Sequence, residues 1–120
     1  DAPGAEGTID LKLHGARIFI DAARIYALAH AIPQTNTAGR LRAVRAAIGM
    51  SDADADASVG AFFAVQAIRL RVQARRLGTD AALHNRVDPA NLGRLDSTML
   101  KESLRIAREL QHRLALDYRL

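Results

Sequence analysis

Residues 64–78 read AVQAIRLRVQARRLG, with four arginines inside eight positions of an otherwise apolar stretch. Arg69 and Arg71 are two apart, nearly opposite each other on a helix that turns about 100° per residue. Val65, Ile68 and Val72 form one apolar arc, and Phe63, Leu70, Ala74 and Leu77 form another. Between the arcs run two polar stripes, Gln66, Arg69, Gln73 and Arg76 on one side and Arg71 with Arg75 on the other. A helix apolar on two flanks is expected to lie between two neighbours. One polar stripe then faces water and the other a cleft, a second protein surface or a ligand, unless both snorkel into solvent; paired amides and guanidinium groups suit the glutamine stripe to a cleft for a polar ligand.

Working outward, the same helix is expected to begin in SDADADA, with Ser51 as cap and the aspartates at the positive end of its dipole, and to stop at Gly78. Upstream, IDLKLHGARIFIDAARIYALAHA (9–31) predicts a first long helix, with Leu13, Ile20 and Ala27 on one line and Ile18, Phe19, Ile25 and Tyr26 beside it. His14, Arg17, Asp21 and Arg24 make its polar stripe, with Asp21 able to pair with either arginine. Gly15 points to close packing or a late start, and Pro33 to the end. A short helix follows an Asn36 or Thr37 cap, turns Leu41, Val44 and Ile48 inward and stops at Gly49. After a loop with a turn at Asp88-Pro89, a last helix is expected from near Asp96 to about Tyr118. Its apolar face is Leu100, Leu104, Ala107, Leu114 and Tyr118, with Gln111 as a buried amide in the middle and Arg108 at the edge. No strand pattern stands out. The prediction is an all-α antiparallel bundle of three long helices and one short one.

The composition agrees. At 120 residues and 49% hydrophobic the chain is one globular domain, and 4% aromatics with abundant alanine favours close-packed helices. The net charge of +4 comes from arginine, since Lys12 and Lys101 are the two lysines. That balance fits nucleotide phosphates, nucleic acid or an acidic partner, or simply a GC-rich genome. With no membrane-length apolar run and no secretion signal, the cytoplasm is expected and a membrane role is not. The DAPGAEG opening reads as a linker (1–8) before a helical domain (9–120), in a fragment of a longer protein.

Familiar motifs fit poorly. Asp52, Asp54 and Asp56 imitate a calcium loop, but Ala57 and Phe63 stand where glycine and glutamate are required. Asp-x-Asp also has the form of a nucleotidyltransferase metal pair, without the strand and Gly-Ser turn that precede one. The histidines lack metal-helix spacing, zero cysteines exclude thiolate sites, and no phosphate loop is present. Arg24-x5-His30 and Arg105-x6-His112 match the loose pattern of HEPN-type ribonucleases. An RNA-directed role is disfavoured because no aromatic residues interleave with the arginines.

Several ordered motifs nevertheless resemble one family: IDLK (9–12), DAAR-x2-AL (21–28), T-x2-RL (37–41), RLRVQ (69–73), Gly78, N-x2-DP (85–89) and L-x-RL-x4-LKES-x3-A-x2-LQ (92–111). It is the putative nucleotidyltransferase substrate-binding domain, found at the C-terminal end of bacterial signal-transduction proteins. Gly39, where a charged residue is usual, and His84 depart from the pattern. The resemblance implies a non-catalytic helical accessory domain, similar to those of aminoglycoside nucleotidyltransferases and the PII-protein uridylyltransferase. It implies preceding cyclic-nucleotide-binding, CBS and nucleotidyltransferase domains, with magnesium and a nucleoside triphosphate held upstream and no cofactor here. Lys12, Arg69, Gln73, Arg108 and Gln111 are expected to line one polar cleft toward the catalytic domain, for a nucleotide or acidic acceptor. Asp10 is expected to open the first helix, Asn85 and Asp88 to be turn residues, and a homodimerising bundle is the alternative.

Overall fold

The computed structural model describes residues 7–78 and 85–119. Most of the proposed linker and His84 lie outside them. The elements are β1 (Ile9–Asp10), a π-helical turn (Lys12–Ala16), α1 (Arg17–Ala29), α2 (Thr37–Val44), α3 (Asp52–Arg75), β2 (Arg86–Val87), a 3₁₀ turn (Pro89–Asn91) and α4 (Arg94–Tyr118). Three long helices and one short one make an all-α bundle. Gly15 meets Val65 and Leu104, Phe19 meets Phe62, and Tyr26 meets Asp117, so α1 and α4 run one way and α3 the other.

Side-chain caps set two helix starts. Asn36 accepts from the Gly39 amide at 2.7 Å and Ser51 from the Asp54 amide at 3.0 Å. Gly39 lies under its cap: a Cβ there would stand 3.0 Å from Asn36 Oδ1. Gly49 and Gly78 take positive φ at their stops. Helix α1 ends at Ala29, before Pro33, because Ala31 turns left-handed and the Ile32 amide returns to the Ala27 carbonyl.

The first helix starts late. Ile9 and Asp10 pair antiparallel with Val87 and Arg86, so the expected helix at 9 is a strand. The Asp10 carboxylate then accepts from the amides of Lys12 and Leu13, at 3.0 and 2.8 Å, and caps the π-helical turn. Gly15 is buried there because a Cβ would come 3.0 Å from Val65 Cγ1. The unwinding rotates Leu13 out of the expected line into solvent, and Ala16, Phe19, Ala23 and Tyr26 carry the core contact of the first helix.

Leu41, Val44, Val65, Ile68 and Leu100 complete a dry centre. Phe19 and Phe62 meet edge to face with centroids 6.0 Å apart. Two corrections concern faces. On α3 and just past its end, Phe63, Leu70 and Leu77 are 54, 68 and 74% exposed, so the second apolar flank has no neighbour among the described residues. On α4, the buried line is Leu100, Ser103, Leu104, Ala107, Leu110 and Leu114, which leaves Gln111 exposed at its edge. At the far end Tyr26 donates to Asp117 at 2.7 Å, and Arg113 donates to the Ile48 carbonyl, joining α1, α4 and the segment after α2.

Two glycines predict opposite responses. Gly60, exposed within α3 with open space around its Cβ position, should gain about 0.5–1 kcal/mol on Gly60→Ala. Gly15→Ala should lose about 1–2 kcal/mol to overpacking against Val65. Urea midpoints would read both.

Tyr26 predicts a pH dependence. Burial first, then the bond to Asp117, pushes its phenol well above the ordinary 10.0. Its stabilisation is full below pH 10 and falls as pH rises above that value, because the unfolded phenol ionises first. Tyr26→Phe should cost about 1 kcal/mol at neutral pH and flatten the alkaline decline in melting temperature.

Candidate anion-binding basin

The glutamine stripe of α3 faces the chain's own 85–87 segment. Asn85 Oδ1 accepts from Arg69 Nε at 3.3 Å, from Arg69 Nη2 at 3.2 Å and from Gln73 Nε2 at 3.5 Å. Gln66 Oε1 takes Arg69 Nη1 at 2.7 Å, and Arg76 donates to the Arg86 carbonyl. Asn85 is therefore a hub. Its own carbonyl also accepts the Leu11 amide at 2.9 Å. Asp88 behaves as a turn residue, accepting the Ala90 amide at 2.9 Å.

Fixed by these bonds, Arg69 borders a depression of about 270 Å³ lined by Lys12, Ala16, Arg17, Ile20, Asp21, Arg24 and Arg69. Four cations surround an alanine and isoleucine floor, against one carboxylate. Asp21 pairs with Arg24 at 3.1 Å, both side chains half exposed, the i,i+3 choice of the two its stripe allowed. That leaves a surplus of positive charge over a partly apolar surface. Guanidinium forks and an ammonium are suited to phosphate or carboxylate oxygens, while the apolar floor accepts carbon skeleton.

Of the five residues expected to share one cleft, the structure brings Lys12 and Arg69 together. Gln73 joins them only through Asn85. Gln111 lines an adjacent depression of about 200 Å³ that shares Arg17 and Asp21 with the basin. Arg108 is exposed on α4 and lines neither. Arg17 and Arg24, expected only as ion-pair partners of Asp21 on a polar stripe, border the basin as well. Their spacing of seven, with Ala16 and Ile20 alongside, is the pattern that places two cations over one apolar strip.

Other charged surfaces offer less. A depression of about 230 Å³ between α3 and α4 includes Asp54, Glu102, Arg105 and Glu109. Arg105 there is held by Glu102 at 2.5 Å and by Glu109, which neutralises it, and its hydrogen bond holds the Glu102 carboxyl below the usual carboxylate range. Arg24 and His30 line different depressions. Among the described residues, no group of three or more His, Cys, Asp or Glu side chains could hold a metal ion. No helix among them is long and apolar enough to cross a membrane.

The family model described as "Putative nucleotidyltransferase substrate binding domain" matches residues 2–118, and the chain belongs to that family. No curated protein and no solved structure matches.

Asn85→Ala should cost about 1–2 kcal/mol, since it leaves Arg69 and Gln73 without their shared acceptor. The backbone amide of Leu11 should exchange faster with deuterium in that variant. The Ile68 amide, in the dry centre, should keep its relative protection.

Proposed function

We propose, with membership of this substrate-binding-domain family as the premise, that the basin receives the anionic part of the substrate. That part is the phosphates of a nucleotide or the acidic group of the acceptor. Lys12, Arg17, Arg24 and Arg69 would neutralise its charge, with Arg69 held in place by Gln66 and Asn85. The carrying observation is four cations around one apolar floor with a single carboxylate among them. Gln111, reached past the shared Arg17 and Asp21, would orient the remainder of the ligand. On this reading the chain is the C-terminal, cytoplasmic part of a longer bacterial signal-transduction protein. Cyclic-nucleotide-binding and CBS domains and a nucleotidyltransferase domain of the PII-uridylyltransferase type precede it. Magnesium and the nucleoside triphosphate bind in that catalytic domain, and this domain presents or docks the substrate.

A thermal-shift titration with ATP, GTP, CTP and UTP, with and without magnesium and at low and physiological salt, tests the reading. Ligand at about 100 times its dissociation constant should add ~2.7 kcal/mol, saturably and with one nucleotide preferred. Lys12→Ala or Arg69→Ala should abolish the shift, and Arg75→Ala, on the other stripe, should not. No shift, or one that Arg75→Ala removes equally, would exclude nucleotide binding at the basin.

A further inference from the structure

The outward flank of α3 is a heptad seam. Ala53, Gly60, Ala67 and Ala74 recur every seven residues, and Asp56, Phe63 and Leu70 follow the first three by three, with Leu77 three past Ala74 in the turn just beyond the helix end at Arg75. This a/d spacing is that of a helix-pairing surface. One row is small throughout and the other is large except for Asp56. Phe63, Leu70 and Leu77 are 54, 68 and 74% exposed although they face away from the core that Val65, Ile68 and Val72 fill. The Arg71–Asp96 ion pair, at 2.7 Å, brings the first turn of α4 to the edge of the seam, with Leu95 and Met99 also exposed. Gly60 lies within the helix, exposed, with nothing within 4 Å of its Cβ position. A glycine there weakens the helix by roughly 1 kcal/mol relative to alanine and answers to no contact among the described residues. Close approach of another backbone would give it a role.

We propose that this seam pairs with α3 of a second copy of the chain, antiparallel, about a two-fold axis near residue 65. In that register Phe63 packs against Ala67 of the other copy, Leu70 against Gly60, and Leu77 against Ala53, so every large side chain meets a small one. Parallel pairing would set large against large and Asp56 against its own copy.

Charge selects the same arrangement. Asp56 stands near the acidic start of α3, and Arg75 stands at its basic end; among the described residues Asp56 has only a 4.0 Å contact to Arg42 and Arg75 has no hydrogen bond or ion pair. The antiparallel register brings each Asp56 beside the other copy's Arg75, twice by symmetry. Within one chain the two are 19 positions apart, about 28 Å along the helix, and cannot meet. None of these residues lines the basin, so the pairing stands or falls independently of the proposed ligand.

Sedimentation equilibrium of the chain over roughly 1–100 µM, a span in which a dimer with a micromolar dissociation constant changes its populations, tests the proposal. The expected result is a monomer–dimer equilibrium that Leu70→Glu abolishes while circular dichroism and melting temperature are kept, since Leu70 is exposed. Asp56→Arg and Arg75→Asp should each weaken the dimer about tenfold, and the double exchange should restore it. A monomer at every concentration, or a dimer indifferent to Leu70→Glu, would overturn the proposal. Charge reversals that the double exchange fails to rescue would overturn its antiparallel register.

Discussion

One carboxamide oxygen organises the end of the domain that carries the basin. Asn85 Oδ1 draws Arg69 and Gln73 of α3 toward the 85–87 segment, and the Asn85 carbonyl accepts the Leu11 amide. The pairing of Ile9 and Asp10 with Val87 and Arg86 follows along the same edge. Asp10 then caps the π-helical turn that carries Lys12, and Gly15 in that turn lets it settle against Val65. The result places Lys12 and Arg69, 57 positions apart in sequence, on one basin rim. Surface ion pairs add little to this, because exposed pairs contribute about 0–1 kcal/mol. The hub is partly buried, where a lost acceptor costs more.

The arginine stripes of α3 have different surroundings and so different uses. Arg69 and Arg76 turn inward along the helix edge and hold the returning chain. Arg71 reaches across to Asp96 and ties α3 to the start of α4. Arg75 is exposed on the single chain. A helix that presents arginine in two directions therefore serves a segment of its own chain on one side and a neighbouring helix on the other. Its basic character does not by itself indicate nucleic acid.

Local signals were legible in the sequence wherever they decide the outcome alone. Asn36 and Ser51 cap α2 and α3 as their side-chain chemistry requires, and Leu41, Val44, Val65 and Ile68 are buried as their spacing demands. Elements that depend on distant residues were not legible. The two-residue strand at Ile9 exists because the 86–87 segment is beside it, and helical periodicity in 9–31 conceals it. Gln111 falls on a period of 3.5 with Leu100, Leu104, Ala107 and Leu114, but α4 centres its buried arc on Ala107, Leu110 and Leu114, leaving the amide at the rim. Asn85 looked like a turn residue because its role is set by α3. Arg17 and Arg24 looked like ion-pair formers because the basin they border needs Lys12 and Arg69 to exist.

The most direct measurement of the basin is a titration of the arginine Nε–Hε resonances with inorganic pyrophosphate at physiological salt. Arg17, Arg24 and Arg69 should move together along one saturable curve, while Arg75 and Arg105 stay in place. A shift of all exposed arginines in proportion, fading as salt is raised, would mean that the basin is ordinary basic surface and contradict the account.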